Sequence, residues 1–250
     1  MKSLANAICV VAHPDDEVLW FASILKEIKK VIIVYHDCPS EPELGEKRTH
    51  AISRLPYEVV SLAIPEAGTY NSAHWQRPRI SDYGLSLNQN AISRAAIQAY
   101  EQNYYSIKAQ LVKHIPMKST VFTHNPWGEY GHADHVQINR ALSDLHTPLR
   151  LTLKVSPYIS SQSETLAEFY AENTTITPER RLVDSSYANQ IANIYKHCGC
   201  WTWVDNWTWN EDEYLLPNPL PSKTTNTQTS IKYSPRIRKI PSSVDISELD

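Results

Sequence analysis

The 250-residue chain carries 24 Lys and Arg against 27 Asp and Glu, a formal net charge of −3, and 42% hydrophobic residues. That composition supports a globular chain with a sizeable core and, with no long basic run, leaves no electrostatic footprint for DNA or RNA. The opening "MKSLANAICVVAHPDD" meets charge too soon for a signal-peptide core, and no apolar run approaches the roughly 18 residues of a membrane span, so the expected location is the cytoplasm.

The first predicted element is a strand, "AICVVA" (7–12), which runs into "HPDDE" (13–17). Pro14 suits a first helical position, and acids there meet the positive end of the helix dipole, so a plain strand-to-helix cap is one reading. Asp15 and Asp16, however, are adjacent carboxylates. Held about 5 Å apart at an effective dielectric near 20, such a pair repels by roughly 3 kcal/mol, while a helix end returns only about 0.3 to 1 kcal/mol per acid. A proton, a basic group or a metal cation must then hold them, and His13 beside them points to a metal. Next come a helix over 17–29 with one apolar face, a strand over 31–35 ending in His36 and Asp37, a helix over 46–55 and a strand over 57–64. Residues 65–90 read as a long polar loop, of a length that is usually functional or disordered. Arg77 and Arg79 within it are candidate grips for a phosphate or carboxylate, against a plain solubility role.

A helix over 91–114 leads to a strand over 119–124, a helix over 132–146 and a strand over 151–158. The alternation predicts a doubly wound parallel sheet flanked by helices, whose ligands bind at the carboxyl ends of the strands. Two further helices, "SETLAEFYAEN" and "SSYANQIANIYKHC", precede a cluster of Trp201, Trp203, Trp207 and Trp209 that reads as packing or interface, or as a platform for a sugar ring. Residues 1–220 are expected to form a single domain and 221–250 a polar tail, with the oligomeric state left open. Cys9, Cys38, Cys198 and Cys200 are too few, and "CGC" too tightly spaced, for a disulfide framework or a structural zinc knuckle.

A metal at His13 needs further protein ligands after another strand at the same sheet edge. "THNPWGEYGHADH" (123–135) follows the strand that ends in His124, which is expected to be structural or to line the floor of the site and not to be a ligand. His132 and His135 are three apart at a helix start and so share one face. Three nitrogen and oxygen ligands with one open position describe a catalytic zinc site, one zinc per chain, and a His2Asp set also accepts iron or cobalt.

"AHPDDE" (12–17) together with "THNPWGEYGHADH" resembles the LmbE/PIG-L family of zinc-dependent de-N-acetylases. The resemblance implies a Rossmann-like parallel sheet with an irregular carboxyl-terminal extension, and zinc ligated by His13, Asp16 and His135. It places the general base on Asp15 and the group that assists at the developing oxyanion on His132, which chemistry would have protonated. Asp134, between His132 and His135, is expected to orient one of them as an acceptor from behind, and Glu17 to do likewise near the first motif. Two features depart from the family: no acid stands at 51 or 52 after Arg48, and "YANQIANIYKHCGCWTW" only loosely matches the family's helix ending in a Ser-Gln pair. The expected activity is removal of an N-acetyl group from an amino sugar, free, nucleotide-linked or in a glycoconjugate. An amidase acting on a bulkier amide such as a thiol conjugate, and a noncatalytic sugar-binding protein, are the alternatives.

Overall fold

The first apolar run forms β1 (Ile8–Val11), with all four side chains buried. Its residues divide between two cores, Cys9 and Val11 facing one and Ile8 and Val10 the other. Both faces of the strand are therefore covered, which is why it reads as an unbroken apolar run and not as an alternation. A computed structural model of the chain describes residues 4, 6–171 and 177–219; the expected tail 221–250 lies outside the described residues.

In chain order β1 is followed by α1 (Asp16–Trp20), β2 (Lys30–Tyr35), α2 (Pro42–Ile52), β3 (Glu58–Ile64) and a small hairpin of β4 (Ile80–Ser81) and β5 (Gly84–Leu85). Then come α3 (Arg94–His114), β6 (Thr120–Thr123), α4 (Ala133–Leu149), β7 (Thr152–Val155), α5 (Glu164–Ala171), β8 (Glu179–Leu182), α6 (Ser185–Cys198) and β9 (Asp212–Pro217). The main sheet has the order β3-β2-β1-β6-β7-β9-β8. Its first five strands are mutually parallel, and β9 pairs antiparallel to both β7 and β8. Residues of α1, α2 and α6 pack on one face and residues of α3 and α4 on the other. The expected α/β architecture is present, and the strand order reverses beside β1, between β2 and β6. In sheets of this kind ligands bind at the carboxyl ends of the strands beside such a reversal.

The segment expected as a helix over 17–29 is shorter. α1 ends at Trp20, Phe21 leaves helical geometry (φ −139°, ψ 28°), and Ala22–Ile24 forms one 3-10 turn. Val18, Leu19, Trp20, Phe21, Ala22, Ile24 and Leu25 are all buried, so no face was left to solvent, and Ser23 N–H donates to Glu213 of β9 instead of continuing a helix. α2 begins earlier than expected, with Pro42 in its first turn, where a missing N–H costs nothing. The segment after 158 adds β8 and β9 to the sheet. The charged "ERRL" of β8, with exposed Leu182, gave no strand signal. Among the described residues no helix is long and apolar enough to cross a membrane.

Candidate active site

Two neighbouring strand ends, those of β1 and β6, meet at this point. From β1 the chain passes through His13, Pro14 and Asp15 into α1; from β6 it passes through His124 and a glycine-bearing turn into α4, which carries His135 in its first turn. His13, Asp16 and His135 are buried, and one ligand atom from each lies within 4.8 Å of the others. Asp16 Oδ2 sits 3.3 Å from His13 Nδ1 and 3.4 Å from His135 Nε2. Asp16 is itself fixed, with Oδ2 accepting His13 N–H at 2.8 Å and Oδ1 accepting Trp20 Nε1–H at 2.9 Å.

The hydrogen bonds assign the imidazole tautomers. His135 Nδ1 lies 2.9 Å from Glu129 Oε2, and an ionised carboxylate only accepts, so Nδ1 carries the proton and Nε2 the lone pair. That Nε2 is buried without a hydrogen-bond partner and faces the Asp16 carboxylate. Two acceptors meeting in a dry site need a cation between them, so the residues present fit a divalent metal ion. His124 differs: its Nε2 accepts Ala12 N–H at 2.8 Å, and its Nδ1 donates to the same Glu129 oxygen at 3.1 Å. It forms the floor with no lone pair to spare. The His124, Glu129 and His135 group is thus a supporting layer that backs a ligand with a carboxylate.

His13 is backed in the same way, its Nε2 lying 3.5 Å from Asp134 Oδ2 and 3.8 Å from Glu66 Oε1. Burial opposes charge on His13, but Glu66, Asp134 and Asp16 together push its pKa up to about 10, so without a metal a proton on His13 answers the surrounding carboxylates. Burial would also raise Asp16, yet the positive charge that His135 and His124 take up in the metal-free site holds it well below the usual carboxylate range, and a cation between Asp16 and neutral imidazoles would replace that charge. Asp15 moves the other way, raised by burial and by Asp16 next to it.

Asp134 therefore contacts His13, with Thr69 Oγ1–H fixing its other oxygen at 2.7 Å, while its backbone N–H donates to His132 Nδ1 at 3.2 Å. That bond leaves His132 with its single hydrogen on Nε2. Burial, His135 and His13 hold its pKa well below the ordinary value, so the imidazole is neutral where the sequence reading has it protonated. Glu17 also departs from expectation. Among the described residues it touches no imidazole: Oε1 accepts from Tyr57 and Tyr195 hydroxyls at 2.8 and 2.6 Å, and Oε2 from Asp15 N–H at 3.2 Å. Burial, partly offset by the two tyrosine hydroxyls, raises its pKa to about 7.

The rim is aromatic on one side and charged on the other. Tyr130 stands 5.3 Å from His135 between ring centroids and 4.8 Å from Trp203, which in turn packs on Trp20. Trp201 and Trp209 are tied to backbone carbonyls of Val204 and Val18, so the tryptophan cluster divides into packing residues and a wall beside the site. Opposite, buried Arg48 donates to Glu66 Oε1 at 2.7 Å and to the carbonyl of His36 at 2.9 Å, so its acidic partner comes from the loop after β3 and not from its own helix. Arg77 and Arg79 are exposed, and among the described residues neither side chain makes a hydrogen bond or ion pair. Glu129, Glu66 and Thr202, whose N–H and hydroxyl both donate to Asp15, are the residues that sequence reasoning missed. Only Glu129 left a signal, as the one acid in a glycine-flanked turn before the histidine pair.

A model of the PIG-L family, described as GlcNAc-PI de-N-acetylase, matches residues 8–146. The chain is 25% identical over 203 residues to "Uncharacterized protein L374" of Acanthamoeba polyphaga mimivirus, covering 77% of this chain and 71% of that one. A solved structure of Can2 from Sulfobacillus thermosulfidooxidans in complex with cyclic tetra-adenylate aligns with a TM-score of 0.31 and 11% identity over 60% of this chain. This chain spans 32% of that protein.

Proposed function

Because the chain belongs to the PIG-L family of de-N-acetylase-type hydrolases, we propose that it is a zinc-dependent hydrolase that removes the N-acetyl group from an amino sugar, free, nucleotide-linked or within a glycoconjugate. The observation that carries this reading is the buried, unpartnered lone pair of His135 Nε2, set against Asp16 beside His13. His13, Asp16 and His135 hold the metal. A divalent ion there supplies a Lewis acid that polarises the amide carbonyl and makes water acidic enough to ionise near neutral pH.

The remaining steps belong to the side chains. Asp15, raised by burial and by Asp16, has one oxygen held by Thr202. It takes the proton of the attacking water and passes it to the departing amine. Neutral His132 donates Nε2–H to the amide oxygen as negative charge develops, and a donor so placed is worth roughly 3 to 4 kcal/mol of barrier. The aromatic wall of Tyr130 and Trp203 excludes water from one side and offers ring faces to a sugar.

The test is elemental analysis of the purified protein together with acetate release from a panel of acetylated amino sugars and their nucleotide forms, with longer amides alongside. We expect about one zinc per chain, turnover lost on chelation and restored by zinc, and a fall of about 100-fold or more in Asp15→Asn. Preference for longer amides would move the substrate to the bulkier class. Tight binding of an acetylated sugar without turnover, across metals and pH, would overturn the hydrolase reading.

A further inference from the structure

Asp15 is the first residue before α1, where an aspartate ordinarily turns its carboxylate back onto the helix's free N–H groups. Here it makes no such cap, and its backbone lies in the left-handed region, φ 92° and ψ −22°. A residue with a Cβ in that region is held there by its surroundings, and such strain clusters at working sites. The surroundings are visible. Glu17 Oε2 accepts Asp15 N–H, and Thr202, 187 residues away, donates both its backbone N–H and its Oγ1–H to Asp15 Oδ2 at 2.9 Å each. Among the described residues no group donates to Oδ1.

We infer that Thr202 is a positioning residue for Asp15: it occupies one carboxylate oxygen with two donors, turns the side chain away from the helix end, and leaves the other oxygen for substrate. Thr202 lies outside the matched family segment 8–146, so the site is completed by the carboxyl-terminal part of this chain. Its own place is fixed from both sides. Gly199 ends α6 in the left-handed region and Cys200 N–H returns to Tyr195 carbonyl, while Trp203 packs on Trp20 and Tyr130. A cap lost and a strained backbone are both unfavourable; two hydrogen bonds to a buried carboxylate offset them. The contact therefore selects a conformation that the local sequence alone would not adopt.

The inference rests on the reading of Asp15 as the residue that moves the proton, and its test separates the two. In Thr202→Val the hydroxyl is lost at nearly constant shape. We expect kcat to fall about tenfold, the loss of one hydrogen bond to an ionised group, with KM within about twofold and zinc content unchanged. Thr202→Ser should return kcat to within about threefold of wild type, and Thr202→Val should add nothing in an Asp15→Ala background. An unchanged kcat in Thr202→Val, a serine variant as impaired as the valine one, or a raised KM at constant kcat would overturn it. If the wild-type protein releases no acetate, the proposed function fails on its own. The positioning is then judged from crystal structures of wild type and both variants. An Asp15 carboxylate displaced by valine and restored by serine supports it, and one that stays in place refutes it.

Discussion

At the scale of single residues the site is a set of donors and acceptors that balance only around a cation. Glu129 shows this most fully. Its Oε2 accepts from His124 and His135, and its Oε1 from Asn125 N–H and Ser156 Oγ–H, so a carboxylate with no solvent exposure has four donors. Burial alone would raise its pKa, but His124 and His135 hold it at about 2 against an ordinary 4.5. A depressed carboxylate contributes stability that is complete above its unfolded value and is lost as pH falls through the folded one. Glu129→Gln should therefore be less stable by about 3 kcal/mol at pH 7, because its amide sets donor against donor, and the difference should narrow as pH falls from 4.5 towards 2. Denaturant titrations of metal-free protein at several pH values check this, and zinc affinity should fall roughly 10- to 100-fold as His135 loses its backing. What the sequence revealed of this site was residue type: paired aspartates with a histidine after one strand, paired histidines after another. What it hid was the partners that arrive by chain crossing, Glu66 beneath Arg48 and Thr202 on Asp15, and the fact that Asp134 backs His13 and not a histidine of its own motif.

Elements carry the site by their ends, and the turn between β6 and α4 does most of this. Asn125 Oδ1 accepts Trp127 and Glu129 N–H, and Gly128 carbonyl accepts Gly131 and His132 N–H, winding the chain so that α4 starts with His132 and His135 beside His13 and Asp16. Gly128 has φ +74°, and a Cβ there would lie 2.6 Å from His132 carbonyl oxygen. Gly128→Ala should destabilise by about 2 kcal/mol or more, a fall of roughly 4 to 8 °C in Tm for a chain of this size, and should weaken zinc binding by shifting His132 and His135. Gly68→Ala is the control, since Gly68 also has positive φ but nothing within 4 Å of the added Cβ. It should cost only the backbone preference, about 1 kcal/mol, with zinc binding intact. Equal losses in both variants would show that the clash at His132 is relieved without effect. The same scale explains which elements were legible. β1, β2 and β6 are buried over nearly their whole length, so apolar runs mark them, while in β7 buried Leu153 and Val155 alternate with Thr152 and Lys154. α1 was overextended because its surroundings are apolar all round, and β8 was missed because an edge strand of charges has no pattern to read.

Over the whole molecule, the segment that the family model matches, residues 8–146, is shorter than the sheet it contributes to. β9 lies between β7 and β8, so without it β7 becomes an open edge and β8 loses its partner. Asn218, just past β9, bonds Asn139 and Ser143 of α4 and Leu153 of β7, while Trp209 reaches Val18 carbonyl and Thr202 reaches Asp15. Leu215 and Leu216, buried in the full chain, belong to the same cores as β1 and Val155. A chain ending at residue 198 keeps every proposed metal ligand yet loses these contacts and exposes an apolar strand edge, a template for aggregation. The full chain should unfold in one transition whose midpoint rises with zinc, by about 2.7 kcal/mol at a hundredfold excess over Kd and so roughly 5 to 10 °C. The fragment should show neither a cooperative transition nor a zinc-dependent midpoint. Calorimetry of both, with His135→Ala in the full chain, separates the causes: that variant should keep the transition and lose only its response to zinc. A fragment that melts cooperatively and responds to zinc like the full chain would show that residues 1–198 suffice and that the carboxyl-terminal segment serves only the placement of Asp15.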